Sequence, residues 1–191
     1  MHKVIWTPQP RQRIFMQRSE NEALYGGAAG GGKSDCAIAE ALRQVHIPHY
    51  RDLILRKTYP QLSEMIDRSR EIYKPAFPKA SYNEQKHCWA FPSGAKIYFG
   101  AMQHTKDRTN YQGKRYDFID FDELTHFTWD EYSYLFSTLL PRAAAPLFSS
   151  VARTHSTQRA ATTHRSSFST ECSSTESSQR LTPMISDRLT C

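Results

Sequence analysis

The sequence predicts an α/β domain with a mainly parallel central sheet flanked by helices, a β-hairpin insertion and a disordered C-terminal tail. Three observations carry this. A glycine cluster stands between a strand pattern and a helical pattern near the N-terminus; apolar strand-like runs then alternate with helical stretches as far as residue 142; beyond that point the composition changes abruptly. The 191 residues suffice for one such domain with a proper core and are short for two complete ones.

The elements follow in order. Glu22 to Gly26 (EALYG) is a short strand, followed at once by GAAGGGKS and then by a helix in which Ile38, Ala41, Leu42 and Val45 share a face. Leu53 to Leu55 reads as a buried strand, and a helix after Pro60 carries Leu62, Met65, Ile66 and Ile72, which completes a βαβα unit. Residues 80 to 100 change character. SYNEQKHCWAF, the turn Pro92-Ser93-Gly94 and AKIYFG form the hairpin pattern, expected at one edge of the sheet. Tyr116 to Asp122 (YDFIDFD) is a third strand. Thr128 opens a helix with Glu131 at capping-box spacing, Tyr132, Tyr134, Leu135 and Leu139 form its packing face and flank, and Pro141 ends it.

Residues 1 to 142 hold all ten tyrosines and all three tryptophans, with 20 basic against 16 acidic side chains, an ordinary globular composition. The net charge of +6 suits a partner with phosphates, but the charges are dispersed rather than clustered. Cys36, Cys88, Cys172 and Cys191 lie too far apart for a zinc or disulfide framework, and the His87–Cys88 pair would point to opposite faces of a strand. No apolar run reaches the length of a membrane span, and the N-terminus lacks the apolar core of a signal peptide. A soluble cytoplasmic protein is expected, with no membrane partner.

Gly27-Ala28-Ala29-Gly30-Gly31-Gly32-Lys33-Ser34 matches G-x-x-x-x-G-K-S/T and stands between strand and helix, where phosphate binding needs it. Residues without bulky side chains let backbone N–H groups approach the phosphates, and the helix adds its positive end. Lys33 is placed for the β- and γ-phosphates of ATP and Ser34 for Mg²⁺. A nucleotide hydrolase also needs a carboxylate for the metal and a second one to orient or deprotonate water. FIDFDE supplies both: Asp122 is the expected magnesium partner and Glu123 the expected catalytic base. Asp120 shares a face with Asp122 where an apolar residue is usual, and is expected to pair with a nearby Lys, Ser or backbone N–H rather than with metal.

Taken together, WTPQPRQ, ALYGGAAGGGKS, LILRKTYPQL and NYQGKRYDFIDFDELTHF, spanning about residues 5 to 142, resemble the N-terminal ATPase domain of phage terminase large subunits. The resemblance implies a RecA-like P-loop ATPase of the class with an added catalytic Glu, using ATP and Mg²⁺. It implies a homo-oligomeric ring on the portal protein of a procapsid, translocation of double-stranded DNA, and a terminase small subunit as partner. It places the protein in the host cell cytoplasm, transiently at the portal. Gln12 falls at the family's adenine-recognising glutamine. Arg108, with Arg56 second, is the candidate for an arginine finger offered to a neighbouring subunit.

The tail departs from that family pattern. Residues 143 to 191 contain 19 Ser or Thr among 49, no Lys, Tyr or Trp, and only three acids, Glu171, Glu176 and Asp187. No two-metal nuclease can be built from these, and the composition fits disorder or a non-native translation product. Ala161-Thr162-Thr163 only faintly resembles the family's coupling motif, so one or two strands of the ATPase sheet are expected to be missing. The alternatives are a nucleotide-binding fragment of a decayed prophage gene without turnover, and a helicase-like DNA-dependent ATPase.

Overall fold

The computed structural model describes residues 4–20, 22–27, 30–139 and, as backbone alone, 148–153. In chain order the elements are α1 (Pro10–Met16), β1 (Glu22–Gly27), α2 (Lys33–Ala41), β2 (Arg51–Arg56), α3 (Tyr59–Ala76), β3 (Ser81–Asn83), β4 (Cys88–Ala90), β5 (Lys96–Ala101), β6 (Phe118–Asp122), α4 (Trp129–Phe136) and β7 (Phe148–Arg153). One seven-stranded sheet runs in the order β1-β7-β6-β2-β5-β4-β3. The first five of these are parallel; β4 and β3 add antiparallel.

The continuous apolar run of β2 is buried on both faces, as a central parallel strand requires. Ile54 packs with Ile38, Leu62, Met65 and Phe118 beneath α2 and α3, whereas Leu53 and Leu55 pack with Ile119, Phe121, Tyr132 and Leu135 beneath α4. The sheet is therefore the middle of three layers. Two polar anchors fix α3 inside the apolar layer: the Tyr73 hydroxyl donates to Ile38 O at 2.8 Å, and Trp89 Nε1 donates to Ser69 Oγ at 2.9 Å. Among the described residues no helix is long and apolar enough to cross a membrane.

Four departures from the sequence reading have local causes. Residues 10–16 form a helix that the reading did not contain: Pro10 sits in its first turn, Gln9 and Gln12 cap it reciprocally, and Phe15 and Met16 pack on Cys36 and Ala39 of α2. The expected hairpin is a three-stranded meander, because His87, at φ 44°, closes a second turn between β3 and β4. α4 stops at Phe136, ahead of Pro141, which lies outside the described residues. The Ser137 and Thr138 hydroxyls donate back to Tyr134 O and Leu135 O, and Leu139 leaves the helix to bridge Tyr116.

The fourth departure concerns the tail. Residues 148–153 form β7, between β1 and β6, so the segment expected to give no element supplies a strand of the sheet. A strand hydrogen-bonded on both sides draws its stability from two ladders, and the short run FSSVAR shows no apolar period by which to recognise it. The expectations for 143–147 and 154–191 lie outside the described residues. Among the described residues β7 is the one sheet neighbour of β1.

Candidate functional site

Parallel strands bring the chemistry to one edge. β1, β2 and β6 all end at the same side of the sheet, so the segments leaving them, 27–33, 56–58 and 122–127, meet there. β1 runs straight into the glycine loop, of which Ala28 and Ala29 lie outside the described residues. Gly30 and Gly32 adopt φ of 80° and 66°, the left-handed region that side chains disfavour, and Gly31 lies in the bend between them. Gly32 caps α2 without a side chain, so the positive end of that helix opens onto the loop. Lys33 is buried and its Nζ donates to Gly27 O at 3.0 Å, folding the ammonium back over the loop.

Gln12 braces the loop from below. Its side chain is 2 % exposed, its Nε2 donates to Gly32 O at 2.6 Å, and its Oε1 accepts from Gln9 N at 2.7 Å. A Cβ at position 32 would stand 2.6 Å from that Nε2, so the absence of a side chain there lets α1 approach. Both ends of the Gln12 amide are thus engaged within the chain.

β6 carries the acids as period 2 requires, with Asp120 and Asp122 on the α2 side and Ile119 and Phe121 on the α4 side. Ser34 Oγ donates to Asp122 Oδ2 at 2.9 Å, across 88 residues of sequence. The loop and the acidic strand end therefore form one site. Glu123 follows with φ 61° and ψ 54°, a left-handed conformation unusual for a residue with a long side chain, and it turns the chain into a short 3-10 turn at Leu124–His126. Its carboxylate is buried, with Oε2 3.3 Å from His126 Nδ1, an ion pair when that imidazole is protonated.

Asp120 does not find the expected partner. Neither of its oxygens is hydrogen-bonded, and burial, reinforced by the charges of Asp122, Asp52 and Glu40, pushes its pKa well above the usual carboxylate range. Asp52, one strand over, is likewise raised by burial, against the pull of the Leu53 backbone N–H, with Glu40 and Asp117 adding to the rise. Burial thus disfavours the charged form of both acids beneath the site.

The run LRKT at the end of β2 supplies what the sequence reading missed. Parallel pairing of Leu55 with Phe121 carries Arg56 on to face Asp122. Arg56 Nε donates to Asp122 Oδ2 at 2.6 Å, and Nη2 lies 2.5 Å from the same oxygen. Buried against its own chain, Arg56 does not fit the role of a finger offered to a neighbouring subunit. Lys57 turns the other way: its Nζ donates to both Glu131 oxygens at 2.8 Å, joined by Thr105 Oγ1 at 3.2 Å and Thr128 N at 2.9 Å. Burial alone would raise the Glu131 carboxyl, but the Lys57 ammonium and the Thr128 N–H hold it below its usual range. Arg108 stands apart from these groups in the 3-10 segment 105–111, its guanidinium 5.6 Å from the Tyr134 ring centre.

The residues present fit a magnesium nucleotide. Among the described residues no three His, Cys, Asp or Glu side chains gather into a metal cage. Asp122 and Ser34 instead offer one carboxylate and one hydroxyl beside a loop built for phosphates, the partial oxygen set that Mg²⁺ completes with phosphate oxygens and water. A cation, the Arg56 guanidinium, already rests on those two oxygens.

Residues 24–142 match the family profile described as terminase large subunit, T4likevirus-type, N-terminal. No curated protein matches the chain. Among solved structures, the chain is similar to the large terminase ATPase domain of Thermus phage P74-26, at 15% identity and TM-score 0.59, covering 78% of this chain and 66% of that one. It is similar to the HK97 bacteriophage large terminase, at 11% identity and TM-score 0.63, covering 77% and 33%. The N-terminal domain of the bacteriophage phi29 DNA packaging ATPase gives 14%, TM-score 0.54, 78% and 79%. At these identities the likeness is one of fold. The chain spans about two thirds of the P74-26 domain and a third of the HK97 protein.

Proposed function

Because the chain belongs to the terminase large subunit family, as its T4likevirus-type N-terminal part, we propose that it is an ATP-hydrolysing motor domain that drives double-stranded DNA into procapsids. The observation that carries the reading is the 2.9 Å contact between Ser34 of the glycine loop and Asp122 of β6, with Glu123 on the next residue. The triphosphate is held by the loop 27–34 and the first turn of α2, with Lys33 released from Gly27 O to the β- and γ-phosphates. Magnesium, held by Ser34 and Asp122, supplies neutralisation of phosphate charge.

Glu123 orients the attacking water and takes its proton. Its left-handed backbone aims the carboxylate out of the strand end, and His126 beside it steadies that direction. Gln12 couples the adenine side of the pocket to Gly32, exchanging one of its present bonds when base is bound. Arg108, outside this chain's own site, serves as the finger for a neighbouring copy in a ring assembled on the portal protein with the small subunit. The working domain extends through Arg153, because β1 depends on β7 for its place in the sheet. It acts in the host cell cytoplasm, transiently at the portal.

Steady-state ATP hydrolysis by the full chain, with and without double-stranded DNA, tests the reading beside Lys33→Ala and Glu123→Gln. Turnover that DNA stimulates and both substitutions abolish is the expected result. A folded chain with no turnover above those variants would reduce it to a nucleotide-binding fragment.

A further inference from the structure

The Asp122 oxygen that faces Ser34, Oδ2, already accepts two hydrogen bonds and has a third nitrogen against it. Arg56 Nε donates to Oδ2 at 2.6 Å, Arg56 Nη2 lies 2.5 Å from it, and Ser34 Oγ donates to it at 2.9 Å. Arg56 Nη2 also donates to Ser34 Oγ at 3.2 Å, so the guanidinium bridges the two oxygens assigned to magnesium. A carboxylate oxygen has two lone pairs, so these two hydrogen bonds, with Nη2 pressed against the same atom, leave no direction open for a metal bond at Oδ2. Two cations on one oxygen would also repel each other strongly where water is scarce. Asp122 is 1 % exposed, so little water is present to screen them.

The arrangement suits a side chain that can leave. Arg56 is the last residue of β2, at the mouth of the site, and its Nη1 reaches Gln61 O only at 3.5 Å, so one oxygen pair holds the guanidinium. A long flexible stem lets it withdraw without moving the strand.

We propose that Arg56 is a built-in placeholder cation: its guanidinium occupies the divalent-metal position on Asp122 and Ser34, and metal nucleotide binds by displacing it. The inference rests on the nucleotide-site reading above. Without metal, the guanidinium neutralises a buried carboxylate and closes the site. Metal affinity is therefore lowered by the fraction of time Arg56 spends in place, and nucleotide free of metal does not displace it.

The test is Mn²⁺ binding in the presence of ADP, followed by electron paramagnetic resonance on the full chain, beside Arg56→Gln and Arg56→Lys. If Arg56 holds the position about nine-tenths of the time, Arg56→Gln should tighten Mn²⁺ binding about tenfold, with Arg56→Lys between it and the unsubstituted chain. Unchanged or weaker Mn²⁺ binding in both folded variants would overturn the proposal while leaving the nucleotide site standing. Mn²⁺ binding that ADP does not strengthen in any of the three would overturn the site reading and this inference with it. Should the variants not fold, the unsubstituted chain labelled with ¹⁵N-arginine decides: the slowly exchanging Nε–H signal of the buried arginine should move with Mg²⁺ and ADP together and not with ADP alone. A signal that stays in place while Mg²⁺ and ADP bind would refute the displacement.

Discussion

Glu40 gives the sharpest stability test, because it lies in α2, the helix that carries Lys33, and bears on no proposed chemistry. Its carboxylate is buried on the inner face. Oε1 accepts from Arg43 Nη1 at 2.7 Å, whereas Oε2 has no partner. Burial raises the carboxyl from 4.5 to about 7, against the pull of Arg43. The folded chain therefore binds a proton more tightly than the unfolded one, and stability falls as pH rises from about 4.5 to about 7. At about 1.4 kcal/mol per pH unit, the cost above pH 7 reaches roughly 3 kcal/mol. Glu40→Gln keeps the acceptor for Arg43 and removes the charge. Thermal melts of the two proteins should coincide near pH 4.5 and separate by roughly 5–10 °C at pH 8, with the variant the more stable. A gap that is constant with pH, or a variant that loses ground as pH rises, would refute the argument.

Other consequences follow from packing and pairing. Gly100→Ala would put a Cβ against the Tyr111 hydroxyl and 3.0 Å from Leu55 Cδ2, and chemical denaturation should show a loss of about 1–3 kcal/mol. Lys57→Met strands the buried Glu131 carboxylate and should cost about 3 kcal/mol in the same assay, with the loss easing as pH falls and the carboxyl takes up a proton. Chains ending at Arg142 and at Arg153 should differ in nucleotide binding. The shorter one lacks β7 and leaves β1 unpaired, so filter-binding of radiolabelled ATP should survive only in the longer.

Much of the site was legible because its parts are local in sequence. The glycine loop and FIDFDE each declare their chemistry, and a parallel sheet brings their ends together without any further signal. β1, β2, β6, α2 and α3 were readable for the same reason, through continuous apolar runs or a 3.6-residue period. The role of Arg56 was not readable. Its partner lies 66 residues away, and only the register of β2 against β6 shows that the two face each other. Asp120 was read as paired because a charged acid would need a partner; burial among other acids instead raises its pKa and disfavours the charge. β7 escaped because a strand held by ladders on both sides needs little pattern of its own, and α1 because a seven-residue helix capped by glutamines is too short to show a period.

The central claim is that loop 27–34 and the end of β6 form one nucleotide site. Equilibrium titration of the full chain with a fluorescent ATP analogue and Mg²⁺, beside Lys33→Ala and Asp122→Asn, addresses it most directly. Saturable binding that weakens by about tenfold or more in each variant is the expected result, since each substitution removes a charged partner of the phosphates or the metal. Binding that is undiminished in both folded variants would place the nucleotide elsewhere and contradict the account.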